Sequence, residues 1–437
     1  MLSTIKNAFK VKDIRNKILF TLGVLIVYRL GAYITVPGIN AKALQSVASS
    51  GLVGILNTFS GGGLSNYSIF AMGVSPYITA QIVIQLLQMD IVPRFVEWSK
   101  QGEVGRRKLN QATRYLTIIL AFVQSVGITA GFNALSSLNL VENPSVQTYI
   151  TIGLILTGGT MLATWLGDMI TDRGLGNGVS ILIFAGIIAR TPTSMYQIYQ
   201  EQFVDTAKSD WWSSFLFVGA LIIAVLVIVI FVTWVQQASR RVPIQYTRRA
   251  SGTSDSSYLP LKVNVAGVIP VIFASSFIAT PQTILMAFAN NHAQDTWYKV
   301  LSDVFNMQTT DGAILYTFLI VVFTFFYAFV QVNPEKLAEN LQKQGSYIPG
   351  VWPGHETQSY VSRLLIRLSV VGSLFLGLVS LIPLIAQDLW NLDESIGLGG
   401  TSLLIVVGVA IEIISQIDGL MMKREYVGFI RTPEQTD

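Results

Sequence analysis

Four charged side chains fall inside or at the ends of long apolar runs: Arg29, Asp168, Glu412 and Asp418. Ionisable groups so placed could relay protons or accompany an ion across a bilayer, since charge moving through hydrocarbon needs partners there. The inventory is thin for that work. Arg29 lies within the first apolar run, Asp168 ends the fourth, and Glu412 and Asp418 sit in the later half of the last; snorkelling or contact with another subunit is the simpler role for each. The glycine-rich stretch RGLGNGVS, Arg173 to Ser180, could cradle a phosphate at a helix start. It follows an apolar helix and not a strand, which favours a tight cytoplasmic turn. The sequence has no G-x-x-x-x-G-K-[ST] loop, no H-E-x-x-H pair and no Ser/His pair embedded in an apolar run. Cysteine is absent, and the two histidines, His292 and His355, stand in polar surroundings, so no metal or other cofactor is expected. A chain without catalytic residues must draw its energy from a partner.

The elements that carry these residues are membrane helices. Of 437 residues 51% are apolar and 12% charged, with a mean hydropathy of +0.53, a balance incompatible with a soluble chain and its charged surface. No cleavable leader precedes the first apolar run, which begins only after KNAFKVKDIRNK, so that run is expected to remain as a span. Runs long enough to cross about 30 Å of hydrocarbon fall near 18–36, 70–90, 113–133, 147–167, 179–197, 213–236, 265–288, 312–332, 366–386 and 399–419. The fold class is therefore an all-α integral membrane protein with ten transmembrane helices.

Of the 29 lysines and arginines, 24 lie in the tails and in alternate connections, which puts both termini in the cytoplasm. Ten spans require that the ends share a side, so the two readings agree. Five spans precede residue 200 and five follow residue 212, and an odd number per half makes the second half enter the membrane from the opposite face, as in inverted repeats. The expected units are residues 1–200 and 201–437, with the passage or site between them at mid-membrane. The stretch LVGILNTFSGGGLSNYSIF, Leu52 to Phe70, is too broken by Gly61, Gly62 and Gly63 to cross a bilayer and too apolar for an exposed loop. Its residues alone allow a re-entrant segment or an outer-surface helix.

Seven stretches carry a resemblance: SIFAMGVSPYITAQIVIQLLQMD (68–90), EWSKQGEVGRRKLNQATRY (97–115), GLGNGVSILIFAGI (174–187), LPLKVNVAGVIPVIFASS (259–276), VNPEKLAENLQKQGSYIPG (332–350), GGTSLLIVVGVAIE (399–412) and KREYVGFI (423–430). In these, in order along nearly the whole chain, the sequence resembles the SecY family, the central subunits of bacterial protein-conducting channels. The resemblance implies two five-helix halves around an hourglass pore in the plasma membrane. It implies translocation of unfolded secretory chains and lateral release of hydrophobic segments into the bilayer.

It also implies site residues. The pore ring would be Val74, Ile78, Val179, Ile183, Ile272 and Ile405, with the first two and the next two spaced i, i+4 so that each pair faces one way. Residues 53–65 would be a plug in the outer funnel, including Val53, Ile55, Leu56, Phe59, Gly61, Gly62, Gly63 and Leu64; each glycine there lowers helix stability by about 1 kcal/mol relative to alanine. Gln85 and Thr280 would be a polar latch on the lateral gate. Cytoplasmic docking would fall to loops 237–262 and 333–367, with Arg240, Arg241, Arg248, Arg249, Lys336, Lys343, Trp352 and Arg363. Implied partners are a SecE-like subunit, a SecG-like subunit, the SecA motor ATPase, the ribosome, preproteins bearing a signal sequence, and membrane lipids.

Two departures stand out. Trp352 replaces the arginine usual between the Pro-Gly turns of YIPGVWPGHE, and GTSDSSYLP (252–260) replaces a Gly-Gly-Gln-Ser-Thr-His-Leu-Pro pattern. Tryptophan cannot supply the charge, but it can bury area or accept a cation over its ring. Two other classes compete with a channel. A small-solute transporter would need a polar mid-membrane site, which the sequence lacks; a membrane scaffold would not import a preprotein into vesicles.

Overall fold

A computed structural model describes residues 9, 11–40, 57, 60–89, 91–135, 141, 144–204, 211–246, 258–292, 294–390 and 400–428. Apolar length fixes most of the elements. Among the described residues, eight helices are long and apolar enough to cross a membrane. They are α4 (Glu103–Leu135), α5 (Val146–Arg173), α6 (Gly178–Tyr199, continued as a π-helical turn at Gln200–Val204), α7 (Trp211–Gln237), α8 (Ile269–His292), α10 (Thr310–Gln331), α12 (His355–Trp390) and α13 (Gly400–Gly428). Two more helices hold the places expected for the first two spans, α1 (Lys12–Gly31) and α2 (Ser75–Leu87).

Helix α2 departs from expectation. The apolar run near 70–90 is helical over only 13 residues, or about 20 Å, which is short of a bilayer. Gly73, at φ +53°, turns the chain at the start, and Pro76 then lies in the first helical turn, where its missing N–H is no loss. Residues 60–74, ahead of it, run as successive turns. Helices α4 and α12 begin about ten residues earlier than their apolar runs, because each starts with a polar stretch that continues the helix beyond the hydrocarbon.

Short amphipathic helices edge the bundle: α3 (Pro93–Lys100), α9 (Thr296–Val304) and α11 (Pro334–Lys343). Strand β1 (Ser239–Pro243) pairs antiparallel with β3 (Tyr258–Lys262), and β2 (Gln245–Tyr246) with β4 (Ser346–Tyr347). This small β region shares an apolar cluster with the start of α12, through Val242, Leu261, Ile348, Val361 and Leu365.

Packing joins the helices before residue 200 to those after 211 along two seams. On one, α2 and α4 lie against α8; on the other, α6 lies against α13. The main cluster fills the space between the seams, with Ile78, Ile183, Ile272, Phe323, Leu376 and Ile405 among its members. Helix α7 is the reverse case. It is apolar all round, yet only 6% of its most apolar stretch is buried against the rest of the chain, so its side chains face lipid or another membrane partner.

Close turns rest on glycine where backbones touch. A Cβ at Gly178 would lie 1.8 Å from the carbonyl oxygen of Gly167, across the α5–α6 hairpin. Gly178→Val is expected to force that hairpin open at a cost of about 1–3 kcal/mol. A lower thermal unfolding midpoint in detergent would show it, whereas an unchanged midpoint would mean the hairpin relaxes freely.

Candidate pore constriction and lateral seam

The six aliphatic residues of the expected ring come from four helices and meet. Val74, Ile78, Ile183, Ile272 and Ile405 are each 4% exposed or less and belong to one buried cluster, against which the half-buried Val179 packs. Their placement has local causes. Asn177 accepts hydrogen bonds from the backbone N–H groups of Val179 (3.1 Å) and Ser180 (3.3 Å), capping α6 so that Val179 and Ile183 occupy its first turns. Gly73 and Pro76 set the start of α2 around Val74. Ile78, Val179, Ile183 and Ile272 line a cavity of ≈ 40 Å³ together with Gln81, Asn177, Ser180, Ile269, Phe273 and Tyr327. The ring itself offers no donor or acceptor, and such a ring opposes ion passage by dewetting.

The turn RGLGNGVS does not cradle an anion. Its N–H groups are already committed: Leu175 donates to Thr21 Oγ1 (3.2 Å), Gly176 to Gln416 Oε1 of α13, Gly178 to Thr171 Oγ1 (2.8 Å), and Val179 and Ser180 to Asn177 Oδ1. Asp168 pairs with Arg114 of α4 at 2.7 Å, tying α5 to α4.

Gly61, Gly62, Gly63 and Leu64 form a buried turn, while Val53, Ile55, Leu56 and Phe59 lie outside the described residues. Gly61 and Gly62 take φ of +66° and +87°, which glycine alone adopts without strain. The turn is knit by its own neighbours. Gly62 N–H donates to the Asn57 carbonyl (2.8 Å), Leu64 N–H to Ser60 Oγ (3.1 Å) and Ser65 N–H to Asn57 Oδ1 (3.1 Å). Asn57 and Ser60 were not foreseen from the sequence; a polar pair flanking a glycine run was the available signal.

Thr280 on α8 does not meet Gln85. Its Oγ1 accepts from Gln124 Nε2 of α4 (2.8 Å), lies 3.1 Å from Thr79 Oγ1 of α2, and donates to the Ser276 carbonyl (3.0 Å). Gln85 is half-buried and its Oε1 has no protein partner. The reason is rotational. Thr79 and Gln85, six residues apart, point about 120° apart around α2, and the Thr79 side is the one turned to α8. Glycines complete the seam: a Cβ at Gly127 would lie 3.1 Å from the Thr283 carbonyl oxygen, and one at Gly131 would lie 2.6 Å from Met286 Cβ. The G-x-x-x-G spacing in GITAG (127–131) signals such close helix packing.

The expected docking residues form an exposed basic face around the β region. Arg240 and Arg241 project from β1, Lys336 and Lys343 from α11, and Arg363 from α12, all exposed; Arg248 and Arg249 lie outside the described residues. Arg241 rests over the Tyr258 ring at 4.8 Å and Lys343 pairs with Glu339 at 2.6 Å. Trp352 is 77% exposed on a loop whose Gly350 and Gly354 have φ of +81° and +99°. It is a bare aromatic surface.

The SecY family model matches residues 68–414 of this chain. The protein translocase subunit SecY 1 of Lactobacillus kefiranofaciens subsp. kefiranofaciens is 68% identical over 431 residues, covering 99% of this chain and all of that one. The fold is similar to a solved protein-conducting channel (TM-score 0.64, 16% identity, 93% of this chain and 92% of that one). It is also similar to Sec61 in the canine ribosome-channel complex from the endoplasmic reticulum (TM-score 0.60, 16% identity, 93% and 92%).

If Gln124 and Thr280 share a hydrogen bond across α4 and α8, a double-mutant cycle of Gln124→Leu and Thr280→Val should return a coupling of about 0.6–2 kcal/mol in thermal or denaturant unfolding. The cycle of Gln85→Leu with Thr280→Val should return none. A reversed ranking would restore Gln85 to the latch.

Proposed function

The chain belongs to the SecY family and is a protein-conducting channel of the membrane, not an enzyme; from that premise we propose that polypeptides pass through the ring of Val74, Ile78, Val179, Ile183, Ile272 and Ile405. The observation that carries this reading is the convergence of those six side chains, from four helices, into one buried apolar cluster beside a small cavity. Aliphatic walls bind no particular peptide sequence, so they close on whatever is threaded and exclude hydrated ions when empty.

The remaining parts follow from the same reading. The turn at Gly61–Leu64, with the residues before it, is the plug of the outer funnel. The α2/α4–α8 seam is the lateral gate through which apolar segments leave for lipid, with Thr79, Gln124 and Thr280 as its polar latch in place of Gln85. Support comes from the modest strength of one buried amide–hydroxyl bond, about 0.6–2 kcal/mol, which a hydrophobic signal helix could displace. The two halves, 1–200 and 201–437, move as the leaves of that gate.

The basic face around the β region faces the cytoplasm, as do both termini, in line with the lysine and arginine distribution. It docks a SecA motor or the ribosome, where arginines would pair with acidic groups or with RNA phosphates in a salt-sensitive way. Trp352 meets the partner by area or by a cation over its ring. A SecE-like clamp and a SecG-like subunit complete the assembly, and bare apolar faces such as that of α7 are available to them and to lipid.

Vesicles carrying the reconstituted complex, supplied with SecA and ATP, should import a preprotein that bears a signal sequence. Ile78→Asp, Ile183→Asp and Ile405→Asp should each raise resting ion conductance by about tenfold or more, because a charge wets the ring. The pore assignment fails if these replacements leave both resting conductance and import as they were.

A further inference from the structure

Two neighbouring side chains of α1 reach two neighbouring carbonyls of the glycine turn. Tyr28 OH lies 3.5 Å from the Ser60 carbonyl oxygen, and the Arg29 guanidinium donates through Nη1 to the Gly61 carbonyl. Nη2 of Arg29 donates to Tyr33 OH at 3.0 Å, and the guanidinium sits 5.0 Å from the centre of that ring. A guanidinium within an apolar run is costly unless its donors find acceptors. Here the acceptors are a carbonyl of the turn and the hydroxyl of Tyr33, two residues past the end of α1.

Gly61 makes the contact possible from its side. With φ +66° it adopts the left-handed backbone of the turn, and it approaches α6 so closely that a Cβ would lie 2.9 Å from Gly186 Cα. The turn is thus held between α1 and α6. On the α6 side Gly61 packs against Gly186, and a Cβ at Gly62 would lie 3.9 Å from the Arg190 stem. The Arg29 side is a charge-assisted hydrogen bond, the stronger and more directional kind.

We propose that Arg29 is the releasable fastening of this turn: it sets how often the seat beside the ring is occupied when no polypeptide is present, and so sets both the resting seal and the strength of signal needed to open it. The proposal rests on reading the turn as part of the plug. Arg29 contacts no substrate in this scheme and acts as a positioning residue. On release the guanidinium would be re-solvated by water in the opened funnel, which makes the bond reversible where a tightly packed apolar contact would not be.

The test uses the full complex in vesicles. Arg29→Met should raise resting ion conductance by about tenfold, the population shift expected when one hydrogen bond to a charged group is lost. The same variant should let a preprotein with a weakened signal be imported, while Arg29→Lys, which keeps one charged donor, should fall between it and the parent. Gly61→Ala should act in the same direction, and combining it with Arg29→Met should add little. A role in packing alone would lower the unfolding midpoint without graded rescue by lysine. Should Arg29→Met fail to accumulate, Arg29→Gln is read in the same way. Deleting residues 57–63 separates the two ideas. If the deletion raises conductance while the folded Arg29 variants leave conductance and signal requirement unchanged, the fastening is overturned and the plug stands. If the deletion itself changes nothing, both fall.

Discussion

Every backbone N–H and C=O inside a bilayer must find its partner within the protein, because hydrocarbon offers none. Helices satisfy this by themselves, and a described stretch that is not helical, residues 60–74, satisfies it by leaning on everything around it. Val36 N–H donates to the Tyr67 carbonyl and Ile69 N–H to the Ile34 carbonyl, both at 3.0 Å, so the stretch pairs with the chain that follows α1. Tyr67, in a left-handed conformation at φ 44°, is fixed by a 2.6 Å bond from its hydroxyl to Thr129 of α4. Phe70 stacks on Tyr28 at 5.0 Å, and a Cβ on Gly31 would run into its ring at 2.1 Å. Irregular backbone is tolerated here because α1, α4 and α5 enclose it.

The same constraint divides the labour among side chains. Where α2, α6, α8 and α13 converge, Val74, Ile78, Val179, Ile183, Ile272 and Ile405 offer no donor or acceptor. Where α4 lies against α8, glycines at 127 and 131 bring backbones together and one Gln124–Thr280 hydrogen bond gives the contact a modest hold. Where the protein meets water, the apolar cluster of the β region and α12 carries its cations outward. Each surface has the chemistry that its neighbour requires, be it peptide, lipid or water.

Much of this was legible in the sequence, and the division between what was and what was not is physical. Long apolar runs depend on composition over many residues, so the long helices emerged without knowledge of contacts. The shortening of α2 did not, because an apolar window does not register that Gly73 and Pro76 break the helix inside it. The ring was legible only by resemblance, since Ile183 looks no different from any packed isoleucine until helices from both parts of the chain converge on it. The partners of Thr280 were not legible for a related reason. Gln85, Gln124, Thr79 and Thr280 are all polar residues on spans, and choosing among them requires knowing which faces meet across separations of 156 and 201 residues. Arg29 was read as a snorkelling charge because its acceptor, a backbone carbonyl, has no signature in the residue types.

The ring's spread along the chain bears on how the protein is made. Its members run from Val74 to Ile405, and the α6–α13 contact that closes one seam needs the last helix. A growing chain that has not yet made α13 therefore lacks both Ile405 and one of the two seams that join the parts of the chain. On the reading proposed above, the constriction is complete only when synthesis of the chain is.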